Sequence, residues 1–272
     1  MSANDLLLGK ATDYPQSYAP GVLFPIARAQ GREELGLAPG TLPFRGVDLW
    51  THYEVSWLDA RGKPKVAIAS IEVPATSPSL IESKSMKLYF NSLNFERFET
   101  AEAFRAVVGK DLSAVAGATV TVTLQPVTAA GHGFADLPGD CLDELDIACD
   151  AFAVDPGLLR ADADRPVTEA LHSHLLRSRC PVTHQPDWAS LYIDYSGPAL
   201  DRAGLLAYLV SYRNQSDFHE QCVERIFMDL MTRCRPQRLT VYARYTRRGG
   251  LDINPFRSTE SSTPPALRQP RQ

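Results

Sequence analysis

The sequence predicts an α+β protein built from two similar modules, and three observations carry that prediction. Apolar and polar residues alternate from Val47 to Leu58 and again from Val66 to Val73, with Asp59-Ala60-Arg61-Gly62-Lys63 between them. That is the period and the turn chemistry of a β-hairpin. The order strand, strand, helix, helix, strand, strand then reads twice along the chain. Finally, Tyr89-Phe90-Asn91-Ser92 aligns with Tyr208-Leu209-Val210-Ser211, each followed by an Asn-containing break and a Phe, Phe98 or Phe218.

The elements follow in order. Residues 1–46 are rich in proline and glycine with little periodicity, and read as an extended segment laid over a domain. After the hairpin, Pro74 to Ser79 breaks the chain, and Ser83 to Leu93 and Ala101 to Val108 are expected helices, the second closed by Gly109. Ala118 to Gln125 alternates Val120, Val122 and Leu124 against threonines and predicts a strand; Leu142 to Phe152 is expected as a fourth. Asp155-Pro156-Gly157, within Val154 to Pro166, marks a linker, so the modules are expected at 1–156 and 157–272. In the second, Thr168 to Ser178 and Ala189 to Tyr195 predict strands, Ala203 to Arg213 and Phe218 to Thr232 helices, and Arg238 to Thr246 a strand with an irregular tail. Ser258 to Gln272 is polar and proline-rich, the composition of a disordered end.

Composition narrows the function classes. The chain has 272 residues, 44% hydrophobic and 22% charged, which suits a soluble globular protein. No apolar run approaches ~20 residues, and Met1-Ser2-Ala3-Asn4-Asp5 lacks the basic start and apolar core of a secretory signal. The five cysteines are odd in number and unpatterned. They predict reduced thiols in the cytoplasm, with Cys222 and Cys234 structural. A net charge of -4 and a pI near 5.9 give no electrostatic case for a nucleic-acid partner. Arginines 225, 233, 235, 238, 244, 247 and 248 nevertheless gather late in the chain, as a solvated face or a place for phosphates.

The chemistry concentrates in Ser178-Arg179-Cys180-Pro181-Val182-Thr183-His184-Gln185-Pro186-Asp187-Trp188. A thiolate is the reactive form of cysteine, and nearby positive charge favours it. Arg177 and Arg179 supply that charge in the sequence, and Pro181 and Pro186 restrict the backbone that separates Cys180 from the proton donor Asp187. The two halves also complement each other. Glu82-Ser83-Lys84-Ser85-Met86-Lys87 crowds a helix start that is apolar at Arg202 to Tyr208, whereas Phe218-His219-Glu220 stands where the first half has Phe98-Glu99-Thr100. Taken singly, these have plainer readings: a capped surface helix, an exposed helix start and an inert cysteine. Together they describe one site shared between duplicated modules.

These segments, with Tyr245-Thr246-Arg247-Arg248-Gly249-Gly250-Leu251-Asp252-Ile253-Asn254-Pro255, resemble the long, two-module form of the NADPH-dependent nitrile reductases that act on 7-cyano-7-deazaguanine in queuosine biosynthesis. The resemblance runs from about Tyr14 to Phe256. It implies tandem tunnelling-fold modules, each an antiparallel four-stranded sheet with two helices on one face, that assemble into a barrel with the site where modules meet, and a homodimer. It also implies roles: Cys180 as nucleophile, Asp187 as general acid and His219 in proton transfer. Glu82, Ser83, Lys84, Phe218, His219 and Glu220 would contact the substrate, and Lys84, Ser85, Arg248 and Gly249 the NADPH.

No Gly-x-Gly-x-x-Gly follows a strand, so a Rossmann site is not expected. No metal, nucleic acid or membrane is expected either. Two rival readings remain open: a zinc-dependent tunnelling-fold enzyme using His172, His174, Cys180 and His184, whose spacing matches no zinc motif, and a silent purine-binding module.

Overall fold

The structure is a computed structural model that describes residues 13–38, 40–128, 133–261, 263–265 and 268–272. It is α+β, with five α-helices and a large, mostly antiparallel sheet among these residues. The chain divides into two compact units interleaved along the sequence. Unit 1 holds Met1–Glu33, Asp48–His132 and Arg247–Ile253; unit 2 holds Glu34–Val47, Gly133–Thr246 and Asn254–Gln272.

In unit 1 the predicted hairpin is β2 (Arg45–Leu58) and β3 (Pro64–Pro74), preceded by β1 (Pro25–Ala27) and α1 (Arg28–Glu34). Residues 1–46 are therefore not simply extended where they are described. β1 pairs with β4 (Ser79–Ile81), and β5 (Thr121–Gln125) runs antiparallel to β3. Alternate residues of β3, Ala67, Ala69, Ile71 and Val73, face the core. Onto them pack α2 (Ser83–Ser92) and α3 (Ala101–Ala116), with Trp57 stacked on Phe104 at 4.6 Å.

Helix α3 does not stop at Gly109. Phe104, Val108, Leu112 and Ala116, all fully buried, carry one apolar stripe straight past it, and a glycine inside a helix costs only about 1 kcal/mol. The helix ends instead at Gly117, which takes the left-handed conformation (φ 71°) and donates to the Ser113 carbonyl.

The strand expected at Leu142 to Phe152 is absent. Only Asp140–Cys141 (β6) is extended, and it pairs in parallel with β7 of unit 2. β7 (Ala161–Arg179) and β8 (Pro186–Leu200) form a hairpin far longer than alternation alone predicts, so the expected linker already belongs to β7 from Ala161. β9 (Arg238–Tyr245) pairs with β8 and with β10 (Leu251–Ser258), a regular strand where the sequence predicts an irregular tail. α4 (Arg202–Ser211) and α5 (His219–Cys234) complete unit 2. Among the described residues no closed barrel is present; β5 and β6 each have one strand neighbour.

Gln269 and Gln272 of the terminal segment, where disorder is expected from composition, are buried against unit 2. The Gln272 side chain accepts from Arg244 Nε at 2.7 Å and donates to the Tyr245 carbonyl and Asn254 Oδ1, at 3.1 and 2.8 Å. Its polarity, which suggested a free tail, is spent on these buried partners.

The internal repeat is visible in hydrogen bonds. Tyr89 donates to Asp111 Oδ2 at 2.7 Å and ties α2 to α3; Tyr208 donates to Asp229 Oδ2 at 2.6 Å and ties α4 to α5. Three residues on, Ser92 and Ser211 each donate to the carbonyl of that tyrosine, both at 2.6 Å. The weak sequence match thus marks the same helix-pair joint in each unit.

His52 on β2 sits beneath Phe90, with ring centroids 4.3 Å apart, and its Nδ1 accepts from the Glu54 amide at 3.1 Å. Burial, aided by the Lys87 charge, pushes its pKa down to about 3. The folded state therefore refuses a proton that the unfolded chain takes below about pH 6.5. This contribution to stability is complete above that pH and declines as pH falls toward 3, at up to about 1.4 kcal/mol per pH unit. Replacing His52 by Gln is expected to flatten the fall in stability between pH 6.5 and 5, as followed by urea unfolding at several pH values; an unchanged slope would refute this account.

Candidate active site

Unit 2 builds its reactive cluster from one hairpin and one helix start. The β7–β8 register sets Ser178 opposite Asp187 and Arg179 opposite Pro186, leaving Cys180 to Gln185 as the connection. Cys180 N donates to the Gln185 carbonyl at 2.9 Å, and His184 closes the turn with φ 57°, a left-handed conformation rare outside glycine. Cys180 is buried, and the Thr183 amide points at its sulfur from 3.5 Å.

Asp187 is buried on the other arm and meets His219, the first residue of α5, with 3.4 Å between Oδ2 and Nε2. His219 stacks flat on Tyr245 of β9, with centroids 3.7 Å apart and planes at 1°. The sequence brought Cys180, Asp187 and His219 into view; it did not reveal Tyr245, which reaches the site only because β9 pairs with β8 at Ala189. Beside Tyr245 lie Ser178 and Cys222. Burial pushes the Cys222 thiol well above the ordinary thiol range, which keeps it protonated and agrees with a structural role.

One electrostatic expectation changes. Arg177 does not turn its charge toward Cys180: its guanidinium lies over the Trp188 ring, 6.0 Å from the centroid, and donates to the Arg213 carbonyl. Strand alternation sends it to the face opposite Ser178, which is fully buried. Next to His219, Glu220 is also buried, and Phe218 precedes the helix as its N-cap.

The remaining candidate residues belong to unit 1. Glu82 caps α2, its two carboxylate oxygens accepting from the Lys84 and Ser85 amides at 2.9 and 2.7 Å, while burial raises its pKa. Ser85 is fully buried; its hydroxyl donates to the Glu82 carbonyl and accepts from the Phe24 amide. Ser83 and Lys84 are half-buried on the first turn. The Arg247–Gly250 turn folds against this helix. Gly249 has φ 64°, and a Cβ there would lie 3.5 Å from Lys87 Nζ; Gly250 has φ 83°, and a Cβ there would strike Glu54 at 2.2 Å. The turn thus brings Gly249 beside Lys87, which pairs with Glu54 at 3.5 Å, and sets the Arg247 guanidinium over the Tyr53 ring, 5.0 Å from its centroid.

The zinc quartet considered from sequence does not assemble. Among the described residues, the His/Cys/Asp/Glu group close enough to hold an ion is Cys141, His172 and His174, without Cys180 or His184.

Residues 14–124 match a family described as nitrile reductase, 7-cyano-7-deazaguanine-reductase N-term, and residues 186–264 one described as QueF-like protein. A Dechloromonas aromatica (strain RCB) protein named NADPH-dependent 7-cyano-7-deazaguanine reductase is 54% identical over 267 residues, 97% of this chain and 94% of its own length. The chain belongs to the 7-cyano-7-deazaguanine reductase family. Proteins of the same name from Azoarcus sp. (strain BH72) and Chromobacterium violaceum are 55% and 54% identical over 93% and 94% of the chain, and 90% and 92% of their own lengths. The family resemblance drawn from the motifs is borne out.

Membership makes the stacked His219 worth testing by itself. Tyr245→Phe is expected to keep the stack and to cost about 1 kcal/mol or less. Tyr245→Leu removes it and is expected to cost about 2–4 kcal/mol, with a broadened His219 imidazole signal in NMR spectra. Equal effects of the two substitutions would show that the ring stack does not hold His219.

Proposed function

We infer that this chain is an NADPH-dependent reductase that converts the nitrile of 7-cyano-7-deazaguanine to the primary amine of 7-aminomethyl-7-deazaguanine, a step of queuosine tRNA-modification biosynthesis. The observation that carries the reading is the contact between half-buried His219 at the start of α5 and buried Asp187 on the hairpin whose turn holds buried Cys180. It provides a nucleophile and a proton path within one unit.

A nitrile carbon is electrophilic but reacts slowly with hydride. Cys180, as thiolate, adds to that carbon: a C–S bond forms, one π bond of C≡N breaks, and its electron pair goes to nitrogen. Asp187, in contact with His219, hands the nitrogen a proton and leaves a covalent thioimide. NADPH supplies, when bound, the two hydrides of the four-electron reduction. Between them the C–S bond breaks and Cys180 leaves as thiolate, and His219 serves the later proton transfers. The stack on Tyr245 fixes the plane of the imidazole, which keeps Nε2 directed at Asp187.

Recognition of the base rests on its donor edge. An ionised carboxylate only accepts hydrogen bonds, so Glu220 suits the N–H and amino groups, with Phe218 against the ring. Family likeness adds Glu82, Ser83 and Lys84 to the substrate contacts. Lys84, Ser85, Arg248 and Gly249 are the proposed cofactor residues; Ser85 supports the segment through its bonds to Glu82 and Phe24. A homodimer in a reducing cytoplasm, with tunnelling-type modules in a barrel, belongs to the same proposal.

The test is NADPH oxidation on adding 7-cyano-7-deazaguanine. Two NADPH are expected per substrate, with no turnover by Cys180→Ala. Arg248→Ala is expected to raise KM for NADPH roughly tenfold, the loss of one charged contact. Folded wild-type protein that oxidises no NADPH would sink the assignment, and purine binding without oxidation would point to the silent module.

A further inference from the structure

Further along β7 from the Cys180–Gln185 turn, β6 and β7 bring three metal-ligating side chains together. Cys141 pairs with His172 across the parallel bridge, and His174 lies two residues on, on the same face of β7. One ligand atom from each lies within 4.8 Å of the others. A tetrahedral zinc ion, with bonds of about 2.0 Å to nitrogen and 2.3 Å to sulfur, needs ligand separations of roughly 3.5 Å, within reach of small side-chain rotations.

The surroundings are built to present these atoms. His172 Nδ1 lies 3.1 Å from the Pro138 carbonyl, which can only accept, so in the neutral ring Nδ1 carries the proton and Nε2 a lone pair. His174 Nδ1 lies 2.8 Å from Ser190 Oγ, which can accept in the same way. An outer partner that fixes the ring and frees the other nitrogen is the usual arrangement at histidine metal ligands. Gly139 lets β6 come this close: its φ is 80°, and a Cβ there would lie 2.0 Å from the Ala170 carbonyl oxygen.

Charge around the group is mixed. Asp143 and Asp136 lie near His174 and favour a cation, and Asp143 is held by Ser173 Oγ and the His174 amide. Arg271 opposes it, donating to the His174 carbonyl at 2.9 Å.

We propose that Cys141, His172 and His174 form a zinc site, a thiolate and two imidazoles with a fourth position left to water, that clips the segment around Asp140–Cys141 to β7. It is separate from the Cys180 chemistry, and it stands whether or not the chain reduces nitriles. Binding displaces the Cys141 thiol proton, so no other reactant is needed.

The experiment is titration of the metal-stripped, full-length chain with Co2+, the visible spectroscopic stand-in for zinc. One equivalent is expected to give thiolate-to-cobalt charge transfer and tetrahedral ligand-field bands, both erased by zinc. Cys141→Ser is expected to abolish the charge-transfer band, and His172→Ala to weaken binding at least tenfold, while Cys180→Ala leaves the spectrum intact. Zinc is also expected to slow alkylation of Cys141 tenfold or more. No band at one equivalent, a band that survives in Cys141→Ser, or one lost in Cys180→Ala would each overturn the proposal.

Discussion

Unit 2 depends on one buried ion pair. Arg257 of β10 is fully buried and donates to Glu224 Oε1 through Nε and Nη2, at 3.1 and 2.8 Å, and through Nη1 to the carbonyls of Val47 and Phe256. Desolvating both charges is expensive, and breaking such a pair by removing one partner costs about 3–5 kcal/mol. What the pair secures is position. Glu224 is one turn beyond Glu220, so the helix that presents His219 and Glu220 is anchored to the sheet at a single azimuth. The close approach that lets Arg257 reach Val47 needs Gly46, where a Cβ would lie 1.9 Å from the Phe256 carbonyl oxygen.

The second constraint is the length of the β7–β8 hairpin. Its long arms make the turn at Cys180–Gln185 the end of a stiff lever, so the cysteine and Asp187 keep their separation through strand register. A loop of the same sequence on a short hairpin would have to hold that separation by itself. His219 arrives from a different part of the chain, and Tyr245 from a third; each is placed by a paired or packed regular element. Sites held this way lose precision when a distant supporting residue is changed.

What the sequence disclosed follows from which interactions are local. Period-two alternation in β2, β3 and β5, and the Tyr-x-x-Ser joint of each helix pair, are local patterns and were legible. So were Cys180, Asp187 and His219, through motifs. β10 was not. All eight of its residues are buried, including Asp252, Asn254, Arg257 and Ser258, and a proline interrupts it. Each polar residue is satisfied from far along the chain: Asp252 by Tyr53, Asn254 by the Tyr245 amide, Arg257 by Glu224 and Ser258 by Thr240. Alternation cannot signal a strand whose buried faces are polar by arrangement. The same distance effect hid Gln272 beneath a polar composition, Cys141 from His172 and Lys87 from Gly249.

The interleaving of the two units has a consequence for how the polypeptide comes into being. Unit 1 requires Arg247–Ile253 and unit 2 requires Glu34–Val47 together with Asn254–Gln272. Neither can finish before the ribosome has made the residues that follow Thr246, although most proteins of this size close their first domain early. At about 5–20 residues per second, Trp50 on β2 waits roughly 10–40 s for Leu251 and Ile253 to join its cluster, and Glu224 on α5 waits a few seconds for Arg257. The nascent chain is thus a natural client for holding chaperones, and a premature stop near Thr246 yields two unfinished halves instead of one working module.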